Sequence, residues 1–394
     1  MKRGTINLPL HGGHAPSYLI KLMTELSSII SKIIIQEKGT KEFFKKISDP
    51  LWFQAFGCVL GFDWHSSGLT TVVTGVLKKA LSNEFHKISI TGGKGKNALL
   101  PKSEIPKLAE ENYNLSTQKI DKLVYASKMA AKVDNSAIQD GYNLYHHVFL
   151  FDEYSNWTII QQGLNNQYKM ARRYHWISDN LKSYIIEPHA GIISSKKLPN
   201  VLDMTSKESE ENRKTCVDLS KSGSKEIKSS VLQIVDKSDQ SRLDSWIRSE
   251  KVVKDVGKSN HKSEIYEEYE MPRYLDWRIF DRIYDVNPQS YEQLIEIKGV
   301  GPGSIRALSL ISQLLYGNKA SWRDPVKFNY AHGGKDGVPY PIARKTYDKS
   351  VSYLSEVIKG SELDRKKRLN ALKRLSNYSN EIFKTTDYNF IIQH

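Results

Sequence analysis

Two cysteines in 394 residues, Cys58 and Cys216, leave too little for a disulfide framework or a cysteine-built zinc site. A reducing interior is the expected setting. No apolar run approaches the length of a membrane span. The opening stretch MKRGTINLPLHGGHAP lacks the apolar centre of a signal peptide. The expectation is a cytoplasmic protein with no membrane partner. HExxH, GxSxG and the full P-loop pattern GxxxxGK[ST] are missing as well, which removes zincin, nucleophile-elbow and P-loop NTPase chemistry. Acidic residues are in relative deficit: 44 Asp and Glu against 58 Lys and Arg, a net charge of +14. Such a balance suits a polyanionic partner without identifying one.

The stretch 294–316, LIEIKGVGPGSIRALSLISQLLY, is the most informative. Leu294, Ile295 and Ile297 close a short helix. A tight turn follows, and a second helix carries Ile305, Leu308, Ile311, Leu314 and Leu315 at helical spacing. Glycine permits positive φ, Pro302 suits a first helical turn, and a helix N-terminus offers N–H groups to a phosphate. The stretch resembles a helix-hairpin-helix motif of DNA repair and processing proteins. That resemblance implies contacts from Lys298, Gly299, Val300, Gly301, Gly303, Ser304 and Arg306 to a nucleic-acid backbone, without sequence readout. Some glycosylases with this hairpin carry a catalytic lysine at the position of Gly303, so a lyase-type glycosylase is disfavoured. The plain alternative is an αα-hairpin whose glycines only serve the turn.

Upstream, 17–33 reads as an amphipathic helix capped by Ser17, followed by helices at 40–46, from 50, and over 69–81. A strand at 87–90 runs into TGGKGKN, where Lys94 and Lys96 are candidate phosphate contacts or merely part of a flexible turn. Helices are expected at 104–112 and 119–132. The runs 142–151 and 157–162 read as a β-hairpin. In KMARRYHW, residues 169–176, Arg172 and Arg173 could clamp phosphates while the aromatics stack on bases; alternatively the aromatics are core. Residues 205–262 are polar and weakly periodic, which predicts a linker or insertion, largely disordered or weakly helical. Two basic amphipathic helices end the chain, expected to pack on the hairpin and to widen its footprint.

Together, RGTINLPLHGGHAP, DPLWFQAFGCVLGFDWHSSG, DGYNLYHH, QQGLN, ARRYHW, EPHAGI and AHGGKDGVPYP resemble an uncharacterised, mainly archaeal family, a domain of unknown function. The resemblance implies no activity.

A set of histidines, carboxylates and amides falls in the first 190 residues, mostly in loops or at strand ends: His11, His14, Asp63, His65, Asp140, His146, His147, Asp152, His175, Glu187 and His189, with Gln161 and Gln162. His–carboxylate groups can hold Mg²⁺ or Mn²⁺ and activate water for phosphodiester cleavage. Asp63, His65, Asp140, His147, Asp152 and Gln161 are therefore the candidate catalytic residues, with Asp63, Asp140 and Asp152 as metal ligands. One metal-nuclease pattern places a lysine after the second-strand Gln; Gly163 stands there instead.

The sequence thus predicts an α+β protein. Residues 1–204 would form a mixed catalytic domain with a small antiparallel sheet, 205–262 a linker, and 263–394 an all-α hairpin domain. The expected function is a metal-dependent nuclease in DNA repair or recombination, on duplex or branched DNA. RNA and a homodimer remain open. The alternatives are a non-catalytic DNA-binding scaffold and a monofunctional glycosylase.

Overall fold

The structure, a computed structural model, describes residues 17–62, 68–81, 87–167, 169–194, 197–238, 270–326, 328–329 and 344–387. Its centre is a six-stranded sheet in the order β1-β3-β4-β5-β6-β8. The strands are β1 (Ile88–Lys94), β3 (Asn143–Asp152), β4 (Trp157–Asn165), β5 (Met170–Ile177), β6 (Gly191–Ser194) and β8 (Phe328–Asn329). All pairings are antiparallel except β6 with β8. The inner strands are rich in aromatic and branched residues because both of their faces are covered. β2 (Ile138–Gln139) and β7 (Leu202–Asp203) form a separate small ladder.

Helices cover each face. On one lie α1 (Ser17–Ser48), α2 (Pro50–Leu60) and α3 (Gly68–Ala80), joined by α11 (Arg344–Lys359) and α12 (Arg365–Asp387). The expected helices at 17–33 and 40–46 are one element broken at Gly39, whose φ is +81°. The Asp49 carboxylate caps α2 through the N–H groups of Leu51 and Trp52, at 2.8 and 3.2 Å. Every residue of α2 is buried, as a helix apolar on all sides requires.

On the other face lie α4 (Pro101–Tyr113), α5 (Thr117–Lys132), α6 (Glu210–Leu219), α7 (Ser224–Ser238), α8 (Trp277–Val286), α9 (Tyr291–Glu296) and α10 (Pro302–Tyr316). Here the structure corrects two expectations. Residues 210–219 and 224–238 are helical, with Cys216, Ile227 and Val231 in the core; their apolar stripe is narrow but finds partners. The hairpin helices share that core with β3, β4 and β5, so the hydrophobic interior does not divide near residue 205. A third correction concerns the chain's last helices. Leu354, Val357, Ile358, Ala371 and Leu375 join the core of α1–α3, so α11 and α12 lie across the sheet from the hairpin. Among the described residues no helix is long and apolar enough to cross a membrane.

Candidate functional site

Strand alternation sends His146 and His147 to opposite faces, and the antiparallel register aligns each with further polar residues. His147 pairs with Gln161, and Gln161 with Tyr174. On that face Gln161 Nε2 donates to the Asp134 carboxylate, 2.5 Å away. This fixes the amide orientation and leaves Gln161 Oε1 to accept from His147 Nδ1 at 2.7 Å. His147 Nε2 is then the acceptor for the Ser127 hydroxyl at 2.8 Å. Asp134 also receives Trp176 Nε1 at 3.0 Å and His189 Nε2 at 2.5 Å. Burial lowers the His147 pKa and keeps the ring neutral.

The opposite face carries His146, Gln162, Arg173 and His175. Thr74 spends its hydroxyl proton on the Thr70 carbonyl at 2.7 Å, so His146 Nε2 donates to Thr74 Oγ1 at 3.0 Å. Burial pulls the His146 pKa down to about 3. Arg173 is buried among Gln54, Thr70 and His175, with its guanidinium over the Phe53 ring. Gln162 accepts a short hydrogen bond from Thr70.

Arg172 is fully buried. Its guanidinium meets Asp140 at 2.8 Å and Asp324 at 2.7 Å. Burial pushes the Asp140 carboxyl above its ordinary range, and Arg172, the Tyr174 hydroxyl and the Tyr142 N–H offset that shift only in part. Neither arginine of the ARRYHW stretch can therefore clamp a phosphate from its present position. Both serve the interior because β5 is a central strand.

Asp152 sits at the tip of the β3–β4 hairpin, where Thr40, Tyr154 and Asn156 surround its carboxylate. It caps the turn. Asp140 lies beyond the other end of β3, about 30 Å away along a ten-residue strand at 3.3 Å per residue. The two carboxylates cannot share an ion that needs oxygens at about 2–2.6 Å. Among the described residues no group of three or more His, Cys, Asp or Glu side chains is placed to hold a metal ion. Asp63, His65, His11, His14 and the AHGGKDG run lie outside the described residues.

The TGGKGKN stretch is the end of β1 followed by a 3₁₀ turn at Gly95–Leu99. A Cβ at Gly92 would fall 2.2 Å from the His147 carbonyl oxygen, so this glycine allows close approach of β1 to β3. The Gly92 N–H is taken by Glu104 at 2.8 Å. A carboxylate thus occupies what was read as part of a phosphate cradle, although Lys94 and Lys96 stay exposed.

The stretch 294–316 is different, since its turn is exposed at Lys298 and Gly299. α9 ends at Glu296, α10 begins at Pro302, and Gly299 holds φ at +98° between them. Val300 is buried and pins the turn to the core, whereas Lys298 and Gly299 are exposed. Lys132 Nζ donates to the carbonyls of Ile297 and Val300 at 3.0 and 2.8 Å. Arg282 Nη1 donates to the Lys298 carbonyl at 2.7 Å. In a trans peptide the N–H points opposite its carbonyl, so the N–H groups of Lys298 and Gly299 are directed away from these cations. Ser290 and Asp276 cap α9 and α8 with side chains; α10 has a glycine N-cap and no side-chain cap. The Gly301 N–H is used internally, on Ser304 Oγ at 3.1 Å. Ser304 is buried.

Arg306 departs from expectation. Its Nε donates to the Glu270 carbonyl at 2.8 Å, and its guanidinium lies over the Trp322 ring. It buttresses α10. The cations that serve the turn are Lys132 and Arg282, which sequence reasoning missed. Lys132 stands 165 positions from the Ile297 carbonyl it binds, and no local spacing announces such a contact.

The profile of one family, described as a protein of unknown function, DUF763, matches residues 4–342. The chain belongs to the DUF763 family. The match runs through the sheet and the hairpin turn, while α11 and α12 of this DUF763 protein lie beyond it. No curated protein and no solved structure is significantly similar to the chain.

Proposed function

We propose that this DUF763 protein binds nucleic acid through the sugar–phosphate backbone, using the turn between α9 and α10. The observation that carries the proposal is the handling of that turn's polar groups. Two cations take its carbonyls, its N–H groups at Lys298 and Gly299 are left for an anion, and the next helix opens without a side-chain cap. A phosphate answers both the N–H groups and the positive end of the helix. Such a contact positions a duplex without reading its bases. The net charge of +14 favours the same partner through long-range attraction.

Binding is favoured over cleavage by the engagement of Asp140, Asp152, His147 and Gln161 in internal hydrogen bonds. The turn serves a binding scaffold, on duplex or branched DNA, whose buried polar rows hold the sheet between its helical layers. The experiment is incubation with labelled duplex, single-stranded and Y-shaped DNA, each with Mg²⁺, Mn²⁺ or EDTA. Native and denaturing gels are run in parallel. The expected result is retarded complexes with intact strands under all three conditions. Metal-dependent fragments from homogeneous protein would contradict the scaffold assignment, and absence of any complex would contradict nucleic-acid binding.

A further inference from the structure

The positive charge at the end of the chain lies on the far side of the sheet from the hairpin. Between Lys359 and Arg374 stand seven basic residues and two acidic ones. Part of this charge is structural. Arg374 Nε donates to the Val59 carbonyl at 2.8 Å, Lys367 pairs with Glu25 at 2.5 Å, and Arg368 donates to the carbonyls of Lys359 and Leu363. These contacts seat α12 on α1, α2 and the end of α11, with Ala371 and Leu375 buried beneath it. Arg365, Lys366 and Lys373 remain, exposed along the outer side of α12 with Leu369, and they make no ion pair with a described residue.

A basic run is usually a solvated face, and its position decides what this one can add. α12 belongs to the core layer of α1–α3, and the hairpin to the layer on the opposite side of the sheet. Each helical layer stands about 10 Å from the sheet and adds a helix diameter of about 10 Å. Duplex DNA has a persistence length of about 50 nm, so a short duplex seated on one surface does not fold back around the protein to reach the other. The α12 surface therefore does not extend the hairpin's footprint.

We infer that α12 is a second, independent duplex-binding surface, and that one chain holds two DNA segments, one on each side of its sheet. Charge complementarity selects the occupant: three exposed cations along one helix side match the repeating phosphates of a duplex. The inference rests on the proposed hairpin contact for the first duplex.

The test uses the full chain, an immobilised duplex, and a fluorescent duplex that is captured only if both are held together. The mass of the complex gives the number of duplexes per chain. Wild type is expected to carry two, and the triple variant R365E/K366E/K373E to carry one and lose capture. These residues are exposed, so an unchanged thermal melt confirms that the variant is folded. Capture that survives the triple variant would overturn the inference, since a dimer or another surface would then supply the bridge. Wild type with one duplex per chain would also overturn it, as would a triple variant that loses only binding to anionic lipid vesicles. Lys298→Glu separates the two claims. It is expected to leave the α12 duplex in place and remove the hairpin duplex; if it removes neither, the hairpin contact fails whatever α12 does.

Discussion

Arg172 and Asp324 form a two-point ion pair across 152 positions of sequence, with Nη2–Oδ2 at 2.7 Å and Nη1–Oδ1 at 3.0 Å. Both side chains are completely buried. Asp324 also receives the N–H groups of Leu198 and Val326, so this one contact ties β5 to two loops. Removing Asp324 leaves the buried guanidinium with Asp140 alone and strips two N–H groups of their acceptor; breaking a buried pair in this way costs up to about 3–5 kcal/mol. Asp324→Ala should lower stability by that amount in urea unfolding. Arg172→Lys, which keeps the charge but loses the fork, should destabilise without changing the affinity of the folded fraction for DNA. A selective loss of DNA affinity in a fully stable Arg172→Lys protein would restore the phosphate-clamp role that ARRYHW suggests.

The glycines of the hairpin turn make a graded prediction. Gly299 holds a positive φ, and a Cβ there would also stand 3.2 Å from Arg282 Nη1. Gly299→Val should cost about 1–3 kcal/mol and weaken DNA binding. Gly303 has no positive φ, and its added Cβ would meet nothing closer than 3.8 Å. Gly303→Ala should be neutral or stabilise by up to about 1 kcal/mol, because glycine is a poor helix former. Thermal melts of the two variants check the order.

The 210–238 region gives a direct contrast with its sequence. Ile227 and Val231 are buried in the core that also holds Leu308 and Ile311. Ile227→Ala should cost about 2–5 kcal/mol in urea unfolding, as for a core residue. A disordered linker would show no loss.

What the sequence revealed and concealed follows the range of the interactions. The β3–β4 hairpin was legible because YNLYHHVFLF and WTIIQQ carry aromatic and branched residues on either side of a polar turn. The helix pair at 291–316 was legible from its glycines and its apolar spacing. The burial of Arg172 was not, since its partner Asp324 lies far downstream. Helices α6 and α7 were legible at most as weak helical tendency because their apolar residues are few among Ser, Lys and Glu, and only contact with α10 shows that the few suffice. The side of the sheet that α12 occupies was equally hidden. An amphipathic pattern states that a helix has a buried face, not which layer buries it.

Acid should unfold the protein in a defined window. Burial depresses the folded-state pKa of His146 to about 3 and lowers those of His147 and His175, against an ordinary value of 6.5. The unfolded state then binds more protons below pH 6.5, so each depressed histidine removes stability as pH falls, by up to about 1.4 kcal/mol per pH unit. For His146 the contribution is complete above 6.5 and lost progressively toward pH 3. His146→Leu should reduce the slope of unfolding free energy against pH between 4 and 6 by close to one proton. An unchanged slope would show that His146 titrates normally in the folded protein.

The central claim, a backbone contact at the hairpin turn, is most directly tested by the salt dependence of duplex binding. The dissociation constant of the full chain for a short labelled duplex would be measured by fluorescence anisotropy over a range of salt, for R365E/K366E/K373E and for the same protein with Lys298→Ala added, so that only the hairpin is read. Each phosphate contact contributes about 0.9 to the slope of log affinity against log salt. The account predicts that adding Lys298→Ala weakens binding on every duplex sequence and makes the slope shallower by about 1. An unchanged affinity and slope would contradict it and move the nucleic-acid contact, if any, away from the hairpin.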